Sequence, residues 1–299
     1  MSKAIVTGGA GFIGSNLVDK LVEIYDKVII IDNESADSNE QFYYNKKAEK
    51  HLLNVCDYKN TRPLYDGVDC VFHLAAESRI QPTLENPVLA ALTNTVGTCT
   101  VLQCAKEAGV KRVVYSSTSS GYGLKNKIPL DENMPDDCLN PYSVTKVSGE
   151  KLCKMYTDLF GLETVVFRYF NVYGERHPVK GQYAPVIGIF IRQRNSGEPM
   201  TIVGDGKQRR DFTHVSDVVT ANVLASTLEN KEPVGKVLNI GTGINYSILE
   251  IAKLIGGDYK FIEPRLGESQ ETLANTNRAK KMLGWSPTIK LEDWIKNNT

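Results

Sequence analysis

The sequence predicts an α/β protein built on a doubly wound parallel sheet, with a smaller α/β lobe beside it. Short β-branched segments alternate with amphipathic segments of helix length over the first 170 residues. A glycine-rich turn directly follows the first of these strand-like segments. The chain has 299 residues, of which 41% are hydrophobic, so it can bury one large core or two ordinary ones.

Five runs are predicted as buried strands and three as helices from their hydrophobic patterns. The strands lie at 3–7, 27–32, 69–74, 111–116 and 163–170, and the helices lie near 14–25, 88–108 and 142–160. Beyond residue 170 the alternation ends in a Gly- and Pro-dotted stretch, 171–212, which we interpret as an insert facing the substrate. A returning strand is predicted at 236–241, and short helices at 247–256 and 277–283. We therefore predict one domain over 1–170, joined by the returning strand, and a second mainly over 171–299.

Composition argues against several classes of partner. Thirty-five basic residues balance thirty-five acidic ones, which disfavours nucleic acid and anionic membranes and favours small molecules. Apolar runs such as 28–31 are strand-sized, far below the roughly twenty residues of a membrane span. The first strand starts at residue 3, with no room for a signal peptide, so we expect a cytoplasmic protein. Six cysteines and four histidines lack ligand spacing, so no metal site is expected.

The turn after the first strand has glycines at three-residue intervals: Gly8, Gly11 and Gly14. Gly8 permits a tight turn, Gly11 allows a pyrophosphate to approach the backbone, and Gly14 allows close packing of helix on strand. The amides of Phe12 and Ile13 lie at the positive end of the following helix, which suits an anion. The sequence therefore predicts a dinucleotide at this turn, in a Rossmann fold.

Asp32 ends the second strand about twenty residues after the turn, where a carboxylate can accept both ribose hydroxyls of adenosine. The same carboxylate repels a 2′-phosphate, and no arginine occurs over 33–41, so NAD is favoured over NADP. Asp57 is placed to contact the adenine edge, although a solvated turn carboxylate is an equal alternative. The other side chains predicted at this end of the cofactor are Asn33, Ser35 and Tyr58.

Tyr142 and Lys146 are four residues apart, so on a helix they share one face. A phenol with a pKa near 10 is a poor base at neutral pH, but a neighbouring ammonium and a positive nicotinamide ring favour the phenolate. An ordinary exposed pair is the alternative. A hydroxyl-rich stretch, 115–123, stands at the end of a predicted strand, where open α/β sheets bind ligands. A hydroxyl there can relay a proton to the tyrosine.

Eight features occur together along nearly the whole chain: TGGAGFIG, Asp32, HLAAES, SSTSSGYG, PYSVTK, RYFNVYG, GDGKQRRDFTHV and PRLGE. In this order they resemble the extended short-chain dehydrogenase/reductase family, and within it the nucleotide-sugar epimerases of the UDP-glucose 4-epimerase type. The resemblance implies NAD as cofactor and transient oxidation of the sugar at C4. It also implies that Tyr142 is the general base, that Lys146 orients the nicotinamide ribose, and that Thr118 bonds the sugar hydroxyl.

The resemblance implies further contacts for both ligands. Around the cofactor they are Ala75, Ala76 and Ser78, with Asn94 supporting the active-site helix and Ser116 and Tyr169 near the nicotinamide. For the UDP diphosphate they are Asn171, Arg210 and Arg265; for the uridine pocket, Gln182, Tyr183, Thr201 and Val203; for the ribose, Glu268.

In this family, a few residues distinguish epimerases from dehydratases and one substrate from another. Ser119 and Ser120 stand where nucleotide-sugar dehydratases carry an Asp-Glu pair, which favours epimerisation. Thr272 aligns near the gate for the C2 substituent, and a small residue there leaves room for an N-acetyl group. We therefore expect interconversion of UDP-GlcNAc and UDP-GalNAc, of UDP-Glc and UDP-Gal, or of both. The alternatives are a UDP-glucuronate 4-epimerase, which Asn171 disfavours, another dehydratase or reductase, and a non-catalytic NAD-binding sensor. By resemblance, helices 88–108 and 142–160 form a four-helix bundle in a homodimer.

Overall fold

A computed structural model describes residues 1–36, 39, 41–179, 184–263 and 269–299. The strands are β1 (Lys3–Thr7), β2 (Lys27–Asp32), β3 (Glu49–Leu52), β4 (Cys70–His73), β5 (Arg112–Thr118), β6 (Glu163–Tyr169), β7 (Val172–Tyr173), β8 (Met200–Val203), β9 (Arg209–Asp211), β10 (Thr213–His214), β11 (Lys236–Ile240), β12 (Asn245–Ser247) and β13 (Tyr259–Ile262). The helices are α1 (Phe12–Leu21), α2 (Tyr58–Thr61), α3 (Ile80–Glu85), α4 (Pro87–Ala90), α5 (Gly97–Glu107), α6 (Pro141–Phe160), α7 (Val186–Asn195), α8 (Val215–Thr227), α9 (Ile248–Ile255), α10 (Asn277–Leu283) and α11 (Leu291–Asn298). A π-helical segment, Ala91–Val96, joins α4 to α5, and 3₁₀ turns span Arg62–Tyr65 and Ser119–Tyr122.

Seven strands form one parallel sheet in the order β11-β6-β5-β4-β1-β2-β3. The winding direction reverses between β1 and β4, and ligands bind at such a switch point in open α/β sheets. The two strand ends are connected there, since the Thr7 hydroxyl lies 2.7 Å from His73 Nδ1. The predicted doubly wound parallel sheet is confirmed.

The sheet buries both of its faces, because successive side chains of a strand point to opposite sides. Ala4 and Val6 pack into one core with α1, α8 and α10. Ile5, between them, faces a second core with α5 and α6, which also contains Val113 and Tyr115. Strands this thoroughly buried have apolar side chains on both faces, which explains the continuous β-branched runs in the sequence.

The smaller lobe surrounds a third core. Helices α7, α9 and α11 pack around two short strand pairs, the parallel pair β8–β13 and the antiparallel pair β9–β12. Phe190, Ile202, Ile251 and Ile295 are among its buried side chains. The stretch predicted only as an insert thus holds the first half of an α/β lobe, and the C-terminal helix supplies part of its core.

The helical run Pro87–Glu107 is long and apolar enough to span a membrane by length and composition alone. The sequence predicted this helix at 88–108 but not its span-like character, because threonine, asparagine and glycine interrupt its apolar residues. In the structure, less than half of its most apolar window is buried. Its buried side packs against α6.

Candidate active site

A cavity of about 460 Å³ opens at the carboxyl edge of the sheet, around the switch point between β1 and β4. Its wall brings together most of the side chains predicted for the cofactor. They are Gly8, Gly11, Phe12, Ile13, Gly14, Asp32, Asn33, Ser35, Ala75, Ala76, Ser78, Ser116, Tyr142, Lys146 and Tyr169. Residues from six separate segments of the chain therefore converge on one site.

The glycine-rich turn has the geometry of an anion site. Gly8 adopts a left-handed conformation, with φ +68°, and a Cβ on it would lie 2.7 Å from the Ala75 amide nitrogen. A Cβ on Gly14 would lie 2.8 Å from Gly9 Cα, so only glycine permits this packing. The first amide bonded within α1 is that of Ser15, to the Gly11 carbonyl. The preceding amides of the first turn point out of the helix end and are available to a ligand.

Asp32 lies beside this turn and is 8% exposed. One carboxylate oxygen accepts a hydrogen bond from the Ala10 amide at 3.0 Å, and the other from the Glu34 amide at 2.8 Å. These bonds hold the carboxylate on the cavity wall, next to Asn33 and Ser35. The glycine-rich turn, which has no room for a Cβ at Gly8 or Gly14, fits the diphosphate of a dinucleotide, and the adjacent Asp32 carboxylate fits its ribose.

The structure does not bring Asp57, Tyr58 or Asn94 to the cavity wall. Asp57 caps α2 and accepts hydrogen bonds from the backbone and side-chain nitrogens of Asn60. The Tyr58 hydroxyl donates to Glu107, at 2.5 Å. In their place the backbone after β3 lines the adenosine end, with Leu53, Asn54 and Val55. Direct cofactor contact by Asp57 and Tyr58 remains a prediction.

Asn94 is fully buried in the π-helical segment. Its side chain accepts from the Glu77 amide at 2.8 Å and donates to the Glu77 carbonyl at 3.0 Å. It also donates to the Thr145 hydroxyl at 2.9 Å, on the helix that carries Tyr142 and Lys146. Asn94 thus connects the loop after β4 to α6, which is the support expected from the resemblance. Its neighbour Thr93 lines the cavity.

Helix α6 begins beside the cavity because its start is strongly specified. Asn140 caps it by accepting from the Ser143 amide at 2.9 Å, Ser143 completes a capping box, and Pro141 occupies the first turn. The first two turns of α6 place Tyr142 and Lys146 on the cavity wall, one helical turn apart.

Deeper in α6, one turn beyond Lys146, Glu150 pairs with the Arg168 guanidinium of β6. Arg168 Nε lies 2.9 Å from one Glu150 oxygen, and its Nη2 lies 2.7 Å from the other. Ser117 of β5 donates to the same carboxylate. These buried contacts hold α6 against the end of the sheet, which positions its catalytic face.

Burial dominates the electrostatics of the catalytic group. Desolvation lowers the pKa of Lys146 to about 7, although Glu150 raises it. The Lys146 ammonium lies 4.3 Å from the centre of the Tyr115 ring. Desolvation also raises the pKa of Tyr142, opposed by a hydrogen bond from Thr118 and by the positive charge of Arg79. The permanent cation acting on the tyrosine in this structure is therefore Arg79, a residue that sequence reasoning missed.

Two more predicted residues, Ser116 and Tyr169, form a hydroxyl pair in the floor of the cavity. Their oxygens lie 3.0 Å apart, and Asn222 of α8 donates to the Tyr169 hydroxyl at 2.8 Å. The amide of Asn222 fixes Tyr169 as its acceptor, so the Tyr169 hydrogen is free to point at Ser116.

A second cavity, of about 630 Å³, adjoins the first and extends into the smaller lobe. The predicted substrate residues on its wall are Asn171, Thr201, Val203, Arg210 and Thr272, with Ser119 and Ser120 at the catalytic end. Arg79, Tyr142 and Asn171 belong to both cavities, so the two meet at the catalytic residues. Thr118 lines the first cavity only. Four predicted residues, Gln182, Tyr183, Arg265 and Glu268, lie outside the described residues.

Asp211 is a buried group that holds residues of the second cavity wall in place. It is fully buried and accepts hydrogen bonds from the Thr242, Gly243 and Ala274 amides. Burial raises its pKa, and these bonds oppose the shift. Its own backbone receives a hydrogen bond from Asn171 at 3.0 Å, so the position of Asn171 depends on the same buried group.

Other lining residues gave no signal in the sequence. Arg79 directly follows the HLAAES segment, residues 73–78, and Gln193 lies in α7, a helix that was not predicted. Gln193 bonds both the amide and the hydroxyl of Thr201. Val186 and Asn54 line the cavities through elements whose bounds the sequence did not predict. The sequence could not predict these residues as part of the site because it did not predict where α7 and β3 lie.

Comparison with known proteins places the chain in a family. Residues 4–241 match the model of the NAD dependent epimerase/dehydratase family. The chain is 34% identical to the UDP-glucose 4-epimerase of Mycolicibacterium smegmatis over 304 residues, which cover 98% of this chain and 96% of that protein.

Two solved structures are similar over nearly the whole chain. The UDP-N-acetylglucosamine 4-epimerase from Methanobrevibacter ruminantium M1, in complex with UDP-N-acetylmuramic acid, has a TM-score of 0.92 at 30% identity, over 99% of this chain and 96% of that one. The UDP-glucuronic acid 4-epimerase from Bacillus cereus, in complex with UDP-glucuronic acid and NAD, has a TM-score of 0.87 at 30% identity, over 98% and 96%.

The parallel sheet, the glycine-rich turn and the Tyr142–Lys146 pair define an NAD-dependent enzyme of the extended short-chain dehydrogenase/reductase class. The chain belongs to the NAD dependent epimerase/dehydratase family. It is an epimerase, and its cofactor is NAD.

Proposed function

We propose that this enzyme is a UDP-sugar 4-epimerase that interconverts UDP-GlcNAc and UDP-GalNAc, UDP-Glc and UDP-Gal, or both pairs. The observation that carries the proposal is the junction of the two cavities at Tyr142. A sugar bound there contacts the base on one side and the cofactor cavity on the other. Its nucleotide then extends along the second cavity toward Arg210.

We assign each step of the proposed reaction to a residue of the cavity wall. Thr118, which ends β5 beside Tyr142, bonds the 4-hydroxyl and holds it toward the phenol. Tyr142 accepts the hydroxyl proton and later returns it. NAD, held by the glycine-rich turn and Asp32, would supply the hydride acceptor for C4 and, once the sugar has turned, the hydride donor. Lys146 is placed to hold the nicotinamide ribose and the charge beside the phenol.

Epimerisation requires a firm hold on the nucleotide and a loose hold on the sugar, because the sugar must present both faces. Arg210 and Asn171 lie in the second cavity, and a guanidinium suits a diphosphate through forked hydrogen bonds. Arg265, Gln182, Tyr183 and Glu268 complete the proposed nucleotide contacts. Near the sugar the wall also offers the small hydroxyls of Ser119 and Ser120, which can donate or accept hydrogen bonds.

The same two serines argue against dehydration, which needs an acid and a base at C5 and C6. A serine hydroxyl near neutral pH performs neither role without an activating partner. The alternative of a UDP-glucuronate substrate is supported by the similarity to the Bacillus cereus enzyme. The alternative of a non-catalytic sensor is disfavoured because Tyr142, Lys146 and Thr118 all line the cavity.

The first experiment incubates the protein with UDP-Glc, UDP-GlcNAc and UDP-GlcA separately, without added cofactor, and identifies the products. Conversion of either neutral pair supports the proposal, whereas conversion of UDP-GlcA alone establishes the alternative. Tyr142→Phe should reduce turnover by about 10²–10⁴-fold while NAD remains bound, since this is what general-base catalysis ordinarily contributes. Tyr259→Phe, at an exposed tyrosine of β13, is the matched control and should keep full activity.

The choice among neutral sugars is proposed to depend on Thr272. It lies on the second cavity wall, and its hydroxyl accepts from the Asp211 amide at 3.4 Å. Thr272→Tyr should depress turnover of the N-acetyl pair and spare the plain hexoses, because the larger ring fills the space of the acetamide. Equal loss on both pairs would contradict the assignment of this gate.

We further propose a cytoplasmic homodimer in which α5 and α6 pair with a second copy as a four-helix bundle. Val88, Leu92 and Val96 expose apolar side chains on the α4–α5 run, and Val144 does so on α6. A second copy covers this face without a membrane. Size measurement in solution tests the proposal: the parent chain should run as a dimer and Leu92→Glu as a monomer.

The domain division proposed from the sequence, 1–170 with the strand at 236–241 and then 171–299, fits this reaction. One domain holds NAD, and the other holds the nucleotide of the sugar. Limited proteolysis in the presence of each ligand tests it, because each ligand should protect the cleavage sites of its own domain first.

A further inference from the structure

Arg79 has an unusual place in the active site. It lines both cavities and is the residue before α3, between the β4 loop and the helix. Its backbone has φ +82° and ψ 149°, a combination that residues other than glycine rarely adopt. Such strain persists only where the surrounding structure imposes it, and it clusters at functional sites.

The guanidinium of Arg79 is half-buried, and no carboxylate pairs with it in the part of the chain that the structure describes. Buried guanidiniums are ordinarily paired, as Arg168 is with Glu150. The acidic group that interacts with Arg79 here is the Tyr142 phenol, which raises the pKa of Arg79 while burial lowers it. The two side chains therefore stabilise each other's charged forms.

The other basic side chain of the site, Lys146, is not fully protonated near pH 7. Lys146 is 3% exposed, and its pKa falls to about 7, so a large part of its amine is neutral at physiological pH in the protein alone. A guanidinium keeps its proton far above that pH. Arg79 is thus the charge that remains beside Tyr142 whatever the protonation of Lys146.

From this geometry we propose that Arg79 is a positioning residue for the base: its guanidinium holds the deprotonated form of Tyr142 at the junction of the two cavities. The inference rests on Tyr142 as the base of the proposed function. It assigns to Arg79 part of the electrostatic role that the Tyr-Lys spacing alone gives to the lysine. Arg79 acts through Tyr142 and needs no contact with the cofactor.

Other polar and titratable groups face Tyr142 and Lys146 from β4, β5 and α6. Thr118 of β5 bonds Tyr142, and the buried Tyr115 of the same strand lies under Lys146. From α6, Glu150 and Cys153 act on Lys146 and raise its pKa. His73 of β4 also faces Lys146, but burial lowers its pKa to about 3, so it is neutral near pH 7.

The test is a spectroscopic pH titration of tyrosinate in the protein as prepared, with Tyr142→Phe subtracted to isolate the signal of Tyr142. The same subtraction is made in an Arg79→Gln background. Arg79→Gln should raise the apparent pKa of Tyr142 by about one unit or more, because an adjacent opposite charge ordinarily shifts a pKa by 1–3 units. Arg79→Lys should restore part of the shift. Arg62→Gln, at a surface arginine paired with Asp66, is the matched control and should leave the titration unchanged.

The acidic limb of the kcat/KM profile should move to higher pH by the same amount in Arg79→Gln, with about a tenfold loss per unit below that limb. An unchanged tyrosinate titration in Arg79→Gln would overturn the proposal, even if activity fell. Arg79→Gly guards against misfolding: it relieves the backbone strain, so the protein should be at least as stable as the parent and still show the raised pKa. Full activity in Tyr142→Phe would instead refute the proposed function, independently of the titration.

Discussion

Alanine substitutions at two glycines of the phosphate-binding turn should have different effects, although both glycines belong to the same motif. A Cβ at Gly11 would meet nothing nearer than the Gly8 carbonyl oxygen at 3.5 Å, an ordinary contact. A Cβ at Gly14 would lie 2.8 Å from Gly9 Cα, with the Gly8 oxygen closer still. Gly11→Ala therefore leaves the free protein intact, and Gly14→Ala forces the turn apart.

The magnitudes follow from these contacts. Gly11 is the N-cap of α1 with an extended backbone, φ −78° and ψ −174°, so alanine costs at most about 1 kcal/mol there. At Gly14 the turn must open by about 0.6 Å or more in a packed region, at a cost of about 1–3 kcal/mol. If the pyrophosphate lies against Gly11, a methyl group displaces it from one or two amides. Each charge-assisted bond contributes about 1.5–3 kcal/mol, so the loss of one or two should lower NAD affinity by about 10–10⁴-fold.

The assay measures two quantities for each variant after removal of bound nucleotide: the thermal midpoint of the free protein and the dissociation constant for NAD. Gly11→Ala should keep the midpoint and lose affinity, whereas Gly14→Ala should lose both. A Gly11→Ala protein that binds NAD as tightly as the parent would refute the placement of the pyrophosphate over this residue.

Three further predictions concern the groups around the cofactor. Lys146→Met should stabilise the free protein near pH 7, because folding lowers the pKa of Lys146 from 10.5 to about 7. The buried ammonium therefore destabilises the folded protein fully below pH 7, and this destabilisation disappears as the pH rises through 10.5. Free energies of unfolding measured at several pH values test the prediction. Asp32→Asn should weaken NAD binding by about 10–100-fold and improve binding of NADP relative to NAD, measured by titration with each, since it removes a charge-assisted acceptor and a repulsive charge. Asn94→Ala should cost about 2–4 kcal/mol of unfolding free energy in denaturant, because it leaves the Glu77 amide and the Thr145 hydroxyl without their buried partner.

The parallel sheet was predictable because buried strands and crossover helices carry strong periodic signals. The strands predicted at 3–7 and 27–32 match β1 and β2 residue for residue, and the glycine turn follows as expected. Helix α8 was missed for a physical reason. It packs against both the sheet and α1, with Val215, Val218 and Ala221 buried, so its sequence lacks the polar stripe that marks a surface helix.

The smaller lobe was less predictable because its strands have two to four residues each, too few for a period of two to be recognised. Its pairings also join distant segments, as β8 with β13 and β9 with β12. The role of Arg79 is a similar case. Its sequence neighbours indicate a loop, and only the fold brings that loop to Tyr142.

The site contains both permanently charged side chains and neutral hydroxyls. Arg210 lines the second cavity, Arg79 lies where the two cavities meet, and the hydroxyl side chains of Ser119 and Ser120 line both cavities. A hydroxyl can donate or accept, so it can bond either face of a turning sugar, whereas a guanidinium can only donate and favours one anionic partner. Permanent charge therefore stands where the proposed reaction needs a fixed group, and exchangeable hydrogen bonds stand where it needs rotation. The same cavity with a charged clamp in place of Ser120 would hold one sugar face more tightly and slow the return of the hydride to the other.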